Sequence, residues 1–185
     1  MHHFIFVFFV KLIEVSSLLQ QSHSKITFSW NNSSRSLTMY LAAGLLPIKL
    51  PTPCIGLSYL SLSINFDDLK EISAALCLLR SSPNLQKLKI SARIELHNVP
   101  LTTVSVYNWD ETFSRPATPI QVRHVTIDGI SGFQPELDFI RFLLLYSPVL
   151  EKMVVKPIVN VRPELVPELI RFKRVSGEAE VIYEV

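Results

Sequence analysis

Cysteine is scarce in this chain, which carries only Cys54 and Cys77 among 185 residues. Two cysteines are too few for a disulfide framework, so the sequence favours a reducing compartment, either the cytoplasm or the nucleus. Each thiol is expected to be a small buried side chain, because free cysteine is among the most buried residue types.

Charge is also sparse. Charged residues make up 18% of the chain, the formal net charge is +2, and hydrophobic residues reach 48%. So small a net charge provides no overall attraction to nucleic acid, and we expect no nucleic-acid partner. The apolar content argues against a disordered chain, and the length predicts one domain with a substantial core.

Long hydrophobic runs are missing too, since the longest one is FIFVFFV at residues 4–10. A bilayer span takes about 20 residues. Neither a basic leader nor a small-residue cleavage site accompanies the run, so membrane association is not expected. The run predicts a buried strand or a segment foreign to the domain. The alternative left open is a small secreted or membrane-associated protein that this apolar N-terminus targets.

Catalytic and metal-binding motifs are missing as well. The five histidines and two cysteines form no H-x-x-x-H, H-E-x-x-H or C-x-x-C spacing, and no G-x-S-x-G elbow occurs. We therefore expect no enzyme activity, no cofactor and no metal. The turn at residues 128–132 (DGISG) could present free N–H groups to a phosphate, but no phosphate-loop lysine accompanies it. The favoured interpretation is a turn whose glycines supply positive φ.

A motif of the form apolar-x-x-apolar-x-apolar recurs along the chain. Its fourth positions are 28, 37 and 28 residues apart, and 28 more residues lead to Val181, where the alternation returns. A period of about 20–29 residues with this motif is the signature of leucine-rich repeats. The 37-residue interval indicates one unit with an insertion loop at about 93–121. The four copies lie at 57–62, 85–90, 122–127 and 150–155.

Each copy alternates apolar and polar residues with period two, which is typical of a half-buried strand. Helical patterns lie between the copies. One begins at Asp67 and Asp68, which can cap it, and the other opens at Pro135 and ends before Pro148. The sequence therefore predicts an α/β fold, a leucine-rich-repeat-like solenoid of parallel strands alternating with helices. The strands are expected in sequential order in one sheet, near residues 58–64, 86–92, 122–128, 150–156 and 179–184.

Three stretches of the C-terminal half carry a family resemblance. They are G-I-S-G at 129–132, F-L-L-x-x-S-P-x-L-E-K-M at 142–153 and R-F-x-R-x-S at 171–176. Together they resemble the plant F-box/FBD/LRR-repeat proteins, and the similarity extends over residues 40–185. The implied organisation is an N-terminal segment of unclear status at 1–39, leucine-rich-repeat-like units at 40–121 and an FBD domain at 122–185.

In that family an N-terminal F-box docks a cullin-RING ubiquitin ligase and the repeats receive the substrate. The resemblance therefore implies a non-catalytic protein-binding repeat scaffold, similar to the substrate-receptor part of a ligase subunit, with an unknown protein partner. Residues 1–39 do not look like an F-box, so binding of the ligase adaptor is not expected. Pro167 also departs from the family pattern and predicts a last helix that is short, kinked or begins at Pro167.

The outward positions of the predicted strands form the candidate binding face. In leucine-rich repeats these positions tile the exposed surface of the sheet. The four lysines of this face predict a weakly basic groove that attracts an acidic segment of a partner. The competing interpretation is an ordinary solvated strand surface. The candidate residues are Tyr59, Lys87, Lys89, His124, Lys152 and Lys156.

Overall fold

A sheet of six parallel strands, hydrogen-bonded in the order in which they occur along the chain, organises the computed structural model. The structure describes residues 24–29, 49–50, 52–93, 118–158 and 165–184. The strands are β1 (Ser24–Ser29), β2 (Leu57–Ile64), β3 (Lys87–Ala92), β4 (His124–Ile130), β5 (Lys152–Pro157) and β6 (Glu180–Tyr183). The helices are α1 (Leu69–Arg80), α2 (Gln134–Tyr146) and α3 (Leu165–Arg171).

The repeat-derived strands lie where the sequence predicted them, within two residues at each end. Their parallel pairing and sequential order are confirmed, so the chain has an α/β fold with a parallel sheet. The register is confirmed as well, because Leu60, Leu88, Val125, Met153 and Val181 are successive backbone partners. Strand β1 was not predicted from the repeat pattern, and it adds a sixth strand beside β2.

The alternation of side chains divides the sheet into two faces. In β2, Leu60, Leu62 and Ile64 are fully buried, whereas the residues between them are partly exposed. The helices cover the buried face, and their apolar stripes join one hydrophobic cluster with the strands. Phe66, at the end of β2, meets Phe139 of α2 edge to face, with ring centroids 5.5 Å apart. The core is therefore continuous across consecutive units.

The chain ends α1 and α2 in the same way, as the shared Ser-Pro turn predicted. The carbonyl of Ser81, just after α1, accepts a hydrogen bond from the N–H of Cys54, at 2.7 Å. The carbonyl of Tyr146, at the end of α2, accepts one from Ile120, at 2.8 Å. In both cases the segment that leads into the preceding strand satisfies a carbonyl that the helix leaves open. The turn therefore ties each helix end back to its own unit.

Each of these two helices also carries a glutamate as its third residue, which is buried in α2 and partly buried in α1. Glu136 accepts hydrogen bonds from the backbone N–H groups of Ser131, Gly132 and Phe133, at 2.8–3.0 Å. Glu71 occupies the equivalent place in α1, where it accepts the N–H of Asn65 at 2.8 Å. In each unit, the first residue after the strand thus donates to the glutamate. The loop geometry is therefore fixed by a carboxylate inside the helix.

Burial raises the pKa of the Glu136 carboxyl, and the four hydrogen bonds that it accepts from Ser131, Gly132 and Phe133 lower it by less. Burial likewise raises the pKa of Glu71. Arg93 lowers it by less, although its guanidinium donates to the carboxylate at 2.6 and 2.7 Å.

Two glycines have positive φ, as the turn interpretation expected. Gly129, near the end of β4, has φ of 82°, and Gly132, in the loop that follows, has φ of 88°. At Gly129 a Cβ would lie 3.1 Å from the carbonyl oxygen of Ala92.

The last helix is short, which is one of the three outcomes predicted from Pro167. Helix α3 has seven residues, begins at Leu165 and contains Pro167 as its third residue. A proline in the first turn costs no intrahelical hydrogen bond, because the N–H groups there have no helical acceptor. The proposed domain boundary at residue 121 stays a prediction. The apolar run at 4–10 and most of the predicted insertion loop lie outside the described residues.

The aromatic contact between consecutive units gives a stability prediction. We expect Phe139→Ala to reduce the free energy of unfolding by about 3–5 kcal/mol, because the side chain is fully buried and its loss leaves a cavity. Urea unfolding followed by circular dichroism measures the change. Ile170→Ala, at a side chain that is 63% exposed, is the matched control and should change stability by about 0.5 kcal/mol or less. Equal effects of the two variants would contradict the packing described here.

The buried glutamate of α2 gives a pH prediction. Because its pKa is raised in the folded state, its contribution to stability is present below its ordinary pKa and is lost as pH rises through the folded-state value. Glu136→Gln lacks this titration. We therefore expect the variant's deficit in unfolding free energy to be largest near about pH 4 and to shrink by about pH 7. A deficit that grows with pH would mean that the hydrogen bonds lower the pKa of Glu136 more than burial raises it.

Candidate protein-binding face

The sheet surface that the helices leave uncovered brings most of the predicted residues into one row. Tyr59, Lys87, His124 and Lys152 are successive backbone partners across β2 to β5, and Glu180 of β6 follows. Neighbouring strands in a sheet lie about 4.8 Å apart, so consecutive side chains on one face are adjacent. We call these five residues the amino-end row.

The carboxyl-end half of the same surface is charge-compensated. Lys89 Nζ lies 3.0 Å from Asp128 Oδ2, and Lys156 Nζ lies 2.7 Å from Glu184 Oε2. The hydrogen bond from Lys156 to Glu184 raises the pKa of this lysine. Cations and carboxylates thus alternate across β3, β4, β5 and the residue after β6. The four lysines are therefore not equivalent, and this half of the surface provides no basic groove.

Lys87 and Lys152 differ from the other two lysines. Both are exposed, and neither has a carboxylate within 4 Å among the residues that the structure describes. Between them, His124 Nε2 lies 3.5 Å from Glu151 Oε2, and Glu151 also pairs with Arg123. The uncompensated positive charge of the surface is therefore concentrated at the amino-end row, around Lys87 and Lys152.

The other candidate sites from the sequence have different outcomes. The N–H groups of the turn at 131–133, where a phosphate was considered, all donate to Glu136, so the chain's own carboxylate fills that place. Cys54 and Cys77 are free and buried, as expected, and burial raises the pKa of Cys77 to about 11. That thiol is protonated at neutral pH and is a poor nucleophile.

The described part of the chain contains neither a metal site nor a membrane-spanning helix. No group of three or more histidine, cysteine, aspartate or glutamate side chains there is arranged to hold a metal ion. No helix within the same residues combines the length and the apolar character needed to cross a bilayer.

Comparison with known proteins gives one informative similarity. The chain is 35% identical over 150 residues to a curated Arabidopsis thaliana protein named F-box/FBD/LRR-repeat protein. The aligned region is 79% of this chain but 36% of that relative, so the chain spans about a third of the relative's length. No family model matches the chain, and no solved structure matches it either. The similarity confirms the family that the motifs indicated, and the chain is a relative of the plant F-box/FBD/LRR-repeat proteins.

Proposed function

We propose that this chain is a non-catalytic repeat scaffold that binds a protein partner on the exposed face of its sheet. The observation that carries the proposal is the amino-end row, where paired strands hold Tyr59, Lys87, His124 and Lys152 side by side on the face opposite to the described helices. A site on paired strands is more rigid than one on loops. The relative's name, which joins F-box, FBD and LRR repeats, supports a protein-interaction role.

The proposal includes a leucine-rich-repeat-like solenoid as the architecture. Three observations support it: the 28-residue recurrence, the uniform register of successive strands and the glutamate that accepts a loop N–H at the same position of α1 and α2. A single strand–helix unit cannot bury its apolar face alone, so units of this kind stack. Stacking makes the exposed face a continuous surface, to which each unit contributes one strand.

Electrostatics define the partner's chemistry. The two unpaired lysines favour a partner segment rich in aspartate or glutamate, and Tyr59 at one end of the row supplies an amphipathic contact. Charges at the rim of an interface act mainly on the association rate and are screened by salt. By its family, the chain corresponds to the part of a ubiquitin-ligase subunit that receives the substrate. We place this function in the cytoplasm or nucleus, in keeping with its two free cysteines.

A charge reversal tests this face. A partner is first recovered with the full chain, and its association is then measured by surface plasmon resonance. We expect Lys87→Glu with Lys152→Glu to slow association by about tenfold or more at low salt, because attraction of an acidic segment becomes repulsion. Addition of salt should narrow the difference between variant and parent.

The matched control for this reversal is Lys49→Glu with Arg174→Glu. These two exposed cations lie outside the strands, so the net charge changes equally while the sheet face is untouched. Circular dichroism checks that both double variants are folded. Equal slowing by the two variants would show a response to net charge alone, and unchanged binding of the sheet-face variant would refute the proposal.

A further inference from the structure

A shallow groove lies on the outer side of the helix layer, between α2 and the end of α3. Its volume is about 340 Å³. The side chains that face the sheet from these helices are buried, so this groove opens on the side of the molecule opposite to the amino-end row. The residues that line it are Arg141, Leu145, Glu168, Arg171, Phe172 and Lys173.

Positive charge exceeds negative charge in this groove. Three of the lining residues are cations and one, Glu168, is an acid. Two contacts hold Arg141 in place. Its guanidinium carbon lies 5.0 Å from the centroid of the Phe172 ring, and its Nη1 lies 3.6 Å from Oδ1 of Asp138. Arg171 and Lys173 are exposed, and no carboxylate of the described residues lies within 4 Å of either. Two exposed cations therefore lie beside one that is held by its neighbours.

One apolar side chain that lines the groove is open to solvent, since Leu145 of α2 is 36% exposed. Exposed apolar surface next to unpaired charge is the composition of an interaction site, where an apolar anchor is surrounded by a polar rim.

The geometry points to an acidic segment of a protein as the occupant. We propose that this groove binds a peptide segment with an aliphatic anchor on Leu145 and flanking carboxylates on Arg171 and Lys173. The surface is separate from the amino-end row, so the scaffold has two faces for protein partners. Arginine forks hold carboxylates with two parallel hydrogen bonds, which gives orientation as well as attraction.

Two other classes of occupant fit less well. Single-stranded nucleic acid stacks its bases on open aromatic faces, whereas Phe172 is 8% exposed and lies under Arg141. An anionic membrane surface would bring its phosphates against Glu168, which lies inside the groove. An acidic peptide avoids both problems, because its carboxylates can be spaced to meet the cations and avoid Glu168.

The test uses the full chain and fluorescence polarisation at low salt. The probe is a fluorescein-labelled peptide of glutamate and aspartate with two central leucines. We expect saturable binding that Arg171→Gln with Lys173→Gln weakens at least about tenfold. The matched control is Lys49→Glu, which changes the net charge by the same amount at an exposed residue outside both surfaces and should leave the affinity within about twofold. A peptide with serine in place of both leucines should bind at least about fivefold more weakly, and so should the acidic-leucine peptide to Leu145→Ser.

Several results would overturn the inference. Unchanged binding by the variant at Arg171 and Lys173 would do so, and so would an equal loss of binding in the Lys49→Glu control. Equal affinity for the serine and the leucine peptides would show that binding depends on charge alone, without an apolar anchor. Tighter binding of a single-stranded RNA oligonucleotide or of phosphatidylserine vesicles, lost in the Arg171 and Lys173 variant, would assign the groove to another class of partner. All substituted side chains are exposed, and urea unfolding of each variant checks that its stability is retained.

Discussion

The register between neighbouring parallel strands is the constraint on which the rest of this molecule depends. Side chains in a strand alternate between faces, so a slip of one residue would exchange the buried and exposed sets. In the observed register Leu60, Leu88 and Val125 are stacked in the core, and the residues that precede them are stacked on the exposed face. The core therefore selects the register because only this pairing buries the apolar set, and the exposed surface is its consequence.

That dependence explains what the sequence could predict. The period-two pattern predicts the strands. Its recurrence at 28 residues also predicts how they pair, because repeated units stack with equivalent positions side by side. The amino-end row was therefore predictable residue by residue. Strand β1 was not, since SKITFS lies outside the recurrent motif and its neighbours along the chain resemble no repeat. A strand was therefore predictable from this pattern only where the repeat motif itself recurs.

Other features depended on the distances between side chains. The sequence places four lysines on one face, but it does not show that Asp128 and Glu184 neutralise two of them. The groove of the helix layer was missed for a related reason, because it combines Arg141 with residues about 30 positions later. The buried role of Glu136 was hidden by its position in a first helical turn, where an acid is expected to interact with the helix dipole while exposed to solvent.

The loop before α2 has a consequence for how such scaffolds can diversify. In open parallel sheets, small molecules usually bind beyond the carboxyl ends of the strands, where backbone N–H groups are free to receive an anion. Here Glu136 already takes that position, as a built-in substitute for a ligand. The edge where α/β proteins commonly develop a chemical site is thereby closed by the chain itself. Selection for new specificity is directed to the broad outer surfaces, where charge can change without disturbing the loops.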